Sequence, residues 1–178
     1  EEEIQKTQAV QRVLLPEEVP TVPGYDLFGG YKPSRMVGGD YYDFIEFPDG
    51  KIAMMVGDVA GKGMPASLLM SSLQARVHVL FDSCEELGDK IGKLNKATCG
   101  NCPDNRFITF FMTVADPATG ELVFTNAGHN PPLLVRDQAM FGTAQLPKFR
   151  DDQFATKIKD VDMEKFENIA PIIEASVG

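Results

Sequence analysis

The spacing of apolar and polar positions along the chain predicts three helices and a series of short strands. A first, mostly polar helix covers residues 1–15 and stops at Pro16; its apolar residues Ile4, Val10, Val13 and Leu14 can share one face. Two further helices carry buried stripes, at Leu69, Leu73, Val77 and Leu80 and at Leu87, Ile91 and Leu94. Six strands are expected at residues 25–31, 40–47, 51–57, 107–115, 121–126 and 133–136. This order indicates an antiparallel α+β fold and not alternating βαβ units.

Strands 40–47 and 51–57 form a hairpin across Pro48-Asp49-Gly50, which is a strong turn signal. Side chains alternate along the first of these strands, so Asp40 and Asp43 face opposite ways. Only one of them can share a face with a site, and Asp40, beside two glycines, is the candidate. Asp43 is expected to support the fold or to hold the residues around the site from behind.

The segment Gly57-Asp58-Val59-Ala60-Gly61-Lys62-Gly63 follows a buried strand and precedes a helix. Its glycines let the backbone approach a ligand closely, and a carboxylate there is a natural ligand for a hard cation. Together with Asp40, Asp58 therefore predicts a divalent-metal site. The alternative is a turn-forming aspartate that bonds its own backbone. A phosphate-binding P-loop is not favoured, because the glycine spacing and the residue after Lys62 differ from that motif.

Composition narrows the function classes. The chain has 178 residues, 43% hydrophobic and 24% charged, as in an ordinary soluble domain. A net charge of −9 argues against nucleic acid as a partner, because phosphate backbones are bound by basic patches. Three cysteines point to a reducing compartment, and no apolar run is long enough to span a membrane, so a cytoplasmic location is expected. The pair Cys99 and Cys102 is weak evidence for zinc, since no second pair accompanies it.

Three longer motifs occur along the chain, and their order is informative. They are Val37-Gly38-Gly39-Asp40-Tyr41-Tyr42-Asp43-Phe44, Gly57-Asp58-Val59-Ala60-Gly61-Lys62-Gly63-Met64-Pro65-Ala66, and Thr125-Asn126-Ala127-Gly128-His129-Asn130-Pro131-Pro132-Leu133-Leu134. Together they resemble the bacterial metal-dependent serine/threonine phosphatases of the stage II sporulation E (SpoIIE) and RsbU type, a branch of the PPM (type-2C) class. The resemblance covers roughly Gln8 to Arg136.

The resemblance implies a four-layer αββα sandwich, with two antiparallel sheets flanked by helices and two Mn²⁺ or Mg²⁺ ions at one end. Asp58 would bridge both ions, Val59 would contribute its backbone carbonyl, and Asp40 would bind one ion directly or through water. A bridging water would ionise, and the hydroxide would attack the phosphorus of phosphoserine or phosphothreonine. His129 would orient a loop. Arg35 is a candidate to bind the substrate phosphate, and a solvated loop arginine is the alternative.

The chain departs from the family pattern after Arg136. Family members carry a Thr-Asp-Gly segment there, whose aspartate binds metal, and this sequence contains none. The stretch between Arg136 and Phe141 therefore looks shortened or missing. Asp151 is a candidate metal ligand, and an acidic surface loop is the alternative. The competing interpretation of the whole chain is a catalytically impaired binding or regulatory module with an incomplete metal site.

The expected organisation is a connector helix, residues 1–16, followed by a phosphatase domain, residues 17–178. The helix either arrives from an upstream domain or packs on the core as a plain terminal helix. By resemblance, the partners are a phosphorylated anti-sigma-factor antagonist as substrate and an upstream sensory or regulatory domain. A homodimer through the N-terminal helix is a further expectation.

Overall fold

The computed structural model describes residues 2–32, 36–82, 87–103, 105–136, 139–142, 155–158 and 174–177. Three helices and nine strands occur in these ranges. The helices are α1 (Glu2–Val13), α2 (Met64–Leu80) and α3 (Leu87–Cys99). The strands are β1 (Tyr25–Phe28), β2 (Tyr41–Glu46), β3 (Ile52–Val59), β4 (Ile108–Asp116), β5 (Glu121–Ala127), β6 (Leu133–Arg136), β7 (Ala139–Gly142), β8 (Ala155–Ile158) and β9 (Glu174–Val177).

Five of the strands form one antiparallel sheet in the order β2-β3-β4-β5-β8. The register pairs Tyr41 with Gly57 across β2 and β3, and Asp58 with Thr109 across β3 and β4. Outside this sheet, β1 pairs with β9 and β6 with β7, each as an antiparallel two-stranded unit. The predicted antiparallel arrangement is therefore confirmed.

Strand β3 lies between β2 and β4 and is almost entirely buried. Every residue of β3 except Asp58 is buried. Since side chains alternate along a strand, burial at consecutive positions means that both faces of the strand are covered. The sequence predicted that this strand ends at Gly57, but it continues through Asp58 and Val59 because Thr109 and Ile108 of β4 extend the pairing.

Helix α2 begins directly after the turn that follows β3, with Pro65 in its first turn as predicted. Its buried side chains are Ala66, Ser67, Met70, Leu73 and Val77. Leu69 and Leu80 are partly buried and pack against the core, so the predicted stripe faces the interior. The missing side chain of Gly57 allows Leu73 to pack tightly, because a Cβ at Gly57 would lie 3.3 Å from Leu73 Cδ2. In α3, the predicted stripe of Leu87, Ile91 and Leu94 is buried.

Helix α1 is anchored by a polar contact. Its buried residue is Gln11, which is 3% exposed. The Gln11 side-chain amide donates to the Gly38 carbonyl at 2.7 Å, and the Gly38 N–H donates to Gln11 Oε1 at 3.1 Å. The apolar residues expected to share a face of this helix include Ile4, Val10 and Val13, and all three are exposed. No helix among the described residues is long and apolar enough to cross a membrane.

Candidate active site

Asp40 and Asp58 meet at one end of the hairpin formed by β2 and β3. Asp40 immediately precedes β2, and Asp58 is the last residue but one of β3. Because Tyr41 pairs with Gly57, the residues one step beyond that pair, Asp40 and Asp58, lie opposite each other. Their carboxyl groups interact through charge and through a side-chain hydrogen bond. The structure thus brings together the two carboxylates that the sequence singled out.

The surroundings of Asp40 disfavour its charged form. The pKa of Asp40 is raised above its ordinary value, chiefly by burial and then by the charge of Asp58 and a hydrogen bond to it. His129 acts in the opposite direction. Asp58 itself is exposed. A proton or a cation between the two groups would relieve the repulsion, and carboxylate oxygens are preferred ligands of hard cations.

Gly39 fixes the separation between the two aspartates. The Val59 N–H donates to the Gly39 carbonyl at 3.4 Å. A Cβ at Gly39 would lie 2.9 Å from both the Cβ and the carbonyl oxygen of Val59, and 3.1 Å from the Cβ of Ala66. Any side chain at this position would push the strands apart. The absence of one brings the Val59 carbonyl close to the residue before Asp40.

Thr109 and His129 belong to this region, and sequence reasoning missed their contact. Thr109 Oγ1 lies 2.8 Å from His129 Nδ1 and 3.4 Å from the Asp58 carbonyl oxygen. The turn before β6 is closed by the Asn126 side chain, which accepts from the His129 N–H at 2.8 Å and donates to the His129 carbonyl at 3.1 Å. Burial lowers the pKa of His129, and Asp40 opposes that shift. The signal for this contact was the pairing of β4 with β3, which puts Thr109 beside Asp58.

Tyr31 lies within range of the charge of Asp40. Burial first, and the charge of Asp40 second, raise its pKa to about 12. Its hydroxyl is buried and has no hydrogen-bond partner among the described residues. The hydroxyl therefore stays protonated at neutral pH and is a free donor close to Asp40. Only its place shortly before the Gly-Gly-Asp motif could have indicated this role from the sequence.

Arg106 contacts the turn that follows β3. Its Nη1 donates to the Ala60 carbonyl at 2.9 Å. The guanidinium lies so close to Gly61, whose φ is +115°, that a Cβ there would overlap it. The sequence offered no signal for this contact, because 46 positions separate the two bonded residues.

Asp43 faces away from the site, as its alternation with Asp40 predicted. Its carboxylate accepts from the Tyr41 hydroxyl at 2.7 Å and from the Phe44 N–H at 2.8 Å. His78 Nε2 of α2 lies 2.7 Å from the same carboxylate. Asp43 is only 5% exposed, and these three polar contacts compensate for the burial of its carboxylate. The contact with His78 ties β2 to α2.

Two predicted site residues, Arg35 and Asp151, lie outside the described residues. Within the described ranges, no group of three or more His, Cys, Asp or Glu side chains is arranged to hold a metal ion. The acidic groups that could bind a metal ion at this site are Asp40 and Asp58, and the Val59 carbonyl is a neutral oxygen ligand beside them.

The family model described as stage II sporulation protein E (SpoIIE) matches residues 48–149. Among curated proteins, the phosphoserine phosphatase RsbU of Bacillus subtilis is 30% identical over 129 residues. That alignment covers 72% of this chain and 38% of RsbU, so the chain spans well under half of its relative.

A second kind of relative belongs to another class. The serine–tRNA ligase of Afipia carboxidovorans is 64% identical over 53 residues, which is 30% of this chain and 11% of the ligase. Fewer than 53 residues lie on either side of the range 48–149, so this match shares residues with the family-model match. A tenth of a ligase is too little to suggest that activity here.

Solved structures agree on the fold. The SiaA-PP2C domain of Pseudomonas aeruginosa superposes with a TM-score of 0.66 at 16% identity, covering 89% of this chain and 66% of that one. The RsbU and RsbW domains of a Mycobacterium tuberculosis protein superpose with a TM-score of 0.64 at 25% identity, covering 79% and 42%. The predicted fold class is confirmed by these neighbours. With a family-model match over more than half of its length, the chain belongs to the SpoIIE family and has the fold of PP2C phosphatase domains.

Proposed function

We propose that this chain is the catalytic domain of a metal-dependent protein phosphatase that hydrolyses phosphoserine and phosphothreonine. The observation that carries the proposal is the convergence of Asp40 and Asp58 at the end of β2 and β3. Family membership and the likeness to RsbU, a phosphoserine phosphatase, support the reaction class.

The donor set fits Mn²⁺ or Mg²⁺. Both ions take oxygen ligands from carboxylates and carbonyls, and Asp40, Asp58 and the Val59 carbonyl supply such oxygens. The repulsion within the acidic pair is a further reason to expect cations, because it favours occupancy by positive charge. Two bound ions would supply Lewis acidity and a source of hydroxide near neutral pH. Asp151 is proposed as an additional ligand.

The neighbouring residues would hold this geometry. Thr109 contacts both the Asp58 carbonyl and His129, and so connects β3 to the turn before β6. Tyr31 offers a neutral hydroxyl beside Asp40, which suits a donor to substrate oxygen or solvent. With His129 in a loop-orienting role, as the resemblance implies, the scheme needs no nucleophile from the protein.

The test is hydrolysis of p-nitrophenyl phosphate and of a phosphoserine peptide with saturating Mn²⁺. Asp58→Asn should lower the rate by about a hundredfold or more, since loss of even an outer-shell partner costs roughly ten- to a hundredfold. Asp89→Asn is the matched control, because Asp89 is an exposed carboxylate on α3. Equal rates for wild type and Asp58→Asn would refute the proposal.

The partners follow from the same family likeness. The proposed substrate is a phosphorylated anti-sigma-factor antagonist, and the proposed location is the cytoplasm. The exposure of Ile4, Val10 and Val13 on α1 favours a connector helix that contacts either an upstream regulatory domain or a second copy of the chain. Sedimentation of the protein with and without Val10→Lys would test the homodimer, which should dissociate in the variant.

A second candidate is a module with the same fold and an incomplete metal site. Two observations favour it, namely the missing Thr-Asp-Gly segment and the lack of a third acidic ligand among the described residues. Calorimetric titration with Mn²⁺ separates the candidates, since the phosphatase should bind two ions and the impaired module one or none.

A further inference from the structure

Arg106 is held over the turn that follows the acidic pair. One of its five N–H donors is used on the Ala60 carbonyl, at 2.9 Å. The loop that carries it is fixed at two further points, because the Arg106 N–H donates to the Pro103 carbonyl at 2.9 Å and Cys102 Sγ lies 3.4 Å from the Arg106 carbonyl oxygen. The guanidinium is thus preorganised and not a freely rotating surface group.

The charge of Arg106 is not neutralised within the described part of the chain. No carboxylate there forms an ion pair with it, and the Ala60 bond is its one side-chain hydrogen bond in those ranges. This is notable in a chain with 26 acidic and 17 basic residues. Among the described residues, this half-buried guanidinium therefore has no anionic partner, and an anionic ligand could supply one.

Arg106 contacts the segment that directly follows Asp58. Ala60 follows Asp58 and Val59 without a break, and the Ala60 N–H donates to the Phe107 carbonyl at 2.9 Å. The residues on both sides of the contact are therefore tied to the end of β3. A guanidinium presents paired donors that match the oxygens of a phosphate.

From this geometry we infer that Arg106 binds the phosphoryl group of the substrate. The inference rests on the proposed phosphatase function and deepens it. The free donors would hold two phosphoryl oxygens while Nη1 keeps its bond to Ala60. Lys62, on the same turn, is exposed and would act only as a mobile point charge.

Two variants of Arg106 test this assignment. Arg106→Gln removes the charge, and Arg106→Lys keeps a charge and one donor group but loses the fork. For p-nitrophenyl phosphate with saturating Mg²⁺, KM should rise roughly ten- to a hundredfold in Arg106→Gln and less in Arg106→Lys, as expected for a lost hydrogen bond to a charged group. Calorimetric titration of inorganic phosphate in Mg²⁺ should show the same loss. Lys62→Gln should change neither value by more than about threefold.

The structural alternative is that Arg106 only shapes the turn after β3. In that case the Mg²⁺ concentration needed for half-maximal activity would shift while phosphate affinity stayed constant, and the assignment would be overturned. It would also be overturned if Arg35→Gln, and not Arg106→Gln, lost phosphate binding. The titration does not require turnover. A wild-type chain that binds phosphate through Arg106 but hydrolyses nothing would refute the phosphatase function and leave the phosphate site standing.

Discussion

Replacing Gly39 with alanine tests the claim that a missing side chain sets the distance between Asp40 and Val59. The new Cβ would lie 2.9 Å from the Cβ and the carbonyl oxygen of Val59, where ordinary contacts begin near 3.4 Å. The neighbours are backbone and short side chains, namely Val59 and Ala66, which cannot swing away. Overpacking of this kind costs about 1–3 kcal/mol. Weakening of the Val59-to-Gly39 hydrogen bond adds about 0.5–1.5 kcal/mol.

The expected total for Gly39→Ala is about 1–4 kcal/mol, after a small gain from the stiffer unfolded chain. For a chain of this length that corresponds to a fall in melting temperature of roughly 2–16 °C, measured by circular dichroism in EDTA. The displaced Val59 carbonyl should also raise the Mn²⁺ concentration needed for half-maximal activity.

Gly92→Ala on α3 is the matched control. Nothing lies within 4 Å of a Cβ at Gly92, and alanine is the better helix former by about 1 kcal/mol, so this variant should be as stable as wild type or more so. If Gly39→Ala matched Gly92→Ala in melting temperature and in Mn²⁺ dependence, the spacing argument would be wrong.

Three further predictions concern stability. Since the folded-state pKa of Asp40 lies above its ordinary 3.8, the metal-free protein should lose stability as pH rises from about 4 through that raised pKa. Across this range Asp40→Asn should melt at a higher temperature than wild type. With added Mn²⁺, wild type should melt at the higher temperature instead. Gln11→Ala should lower the free energy of unfolding in urea by about 1–3 kcal/mol because two buried bonds are lost, whereas Gln5→Ala, at an exposed position of α1, should not. Tyr31→Phe should cost nothing, because its hydroxyl has no partner among the described residues, while Tyr42→Phe, which loses a 3.3 Å bond to a carbonyl, should cost about 0.5–1.5 kcal/mol in the same assay; the reverse order would contradict the structure.

Local pattern predicted the elements well because their signals are short-range. The hairpin of β2 and β3, Pro65 at the start of α2 and the opposite facing of Asp40 and Asp43 all follow from turn chemistry and strand alternation. The expected meeting of Asp40 and Asp58 needed only one hairpin register.

Contacts between distant segments were beyond this reasoning. Arg106 contacts Ala60 across 46 positions, and Gln11 contacts Gly38 across 27. No periodic pattern in the sequence indicates either contact. Helix α1 illustrates the problem, because its apolar residues suggested a packed face while the structure buries a glutamine instead. Tertiary context, which a single sequence does not contain, decided these cases.

Among strands β1 to β5, Asp58 is carried by the most thoroughly buried one, which has hydrogen-bonded neighbours on both edges. A metal ligand on such a strand is rigidly connected to the hydrophobic interior. Substitutions of buried residues in β3, such as Met55, should therefore change the affinity of the site for cations. Softening of the sheet on heating and release of bound ions should occur as one event.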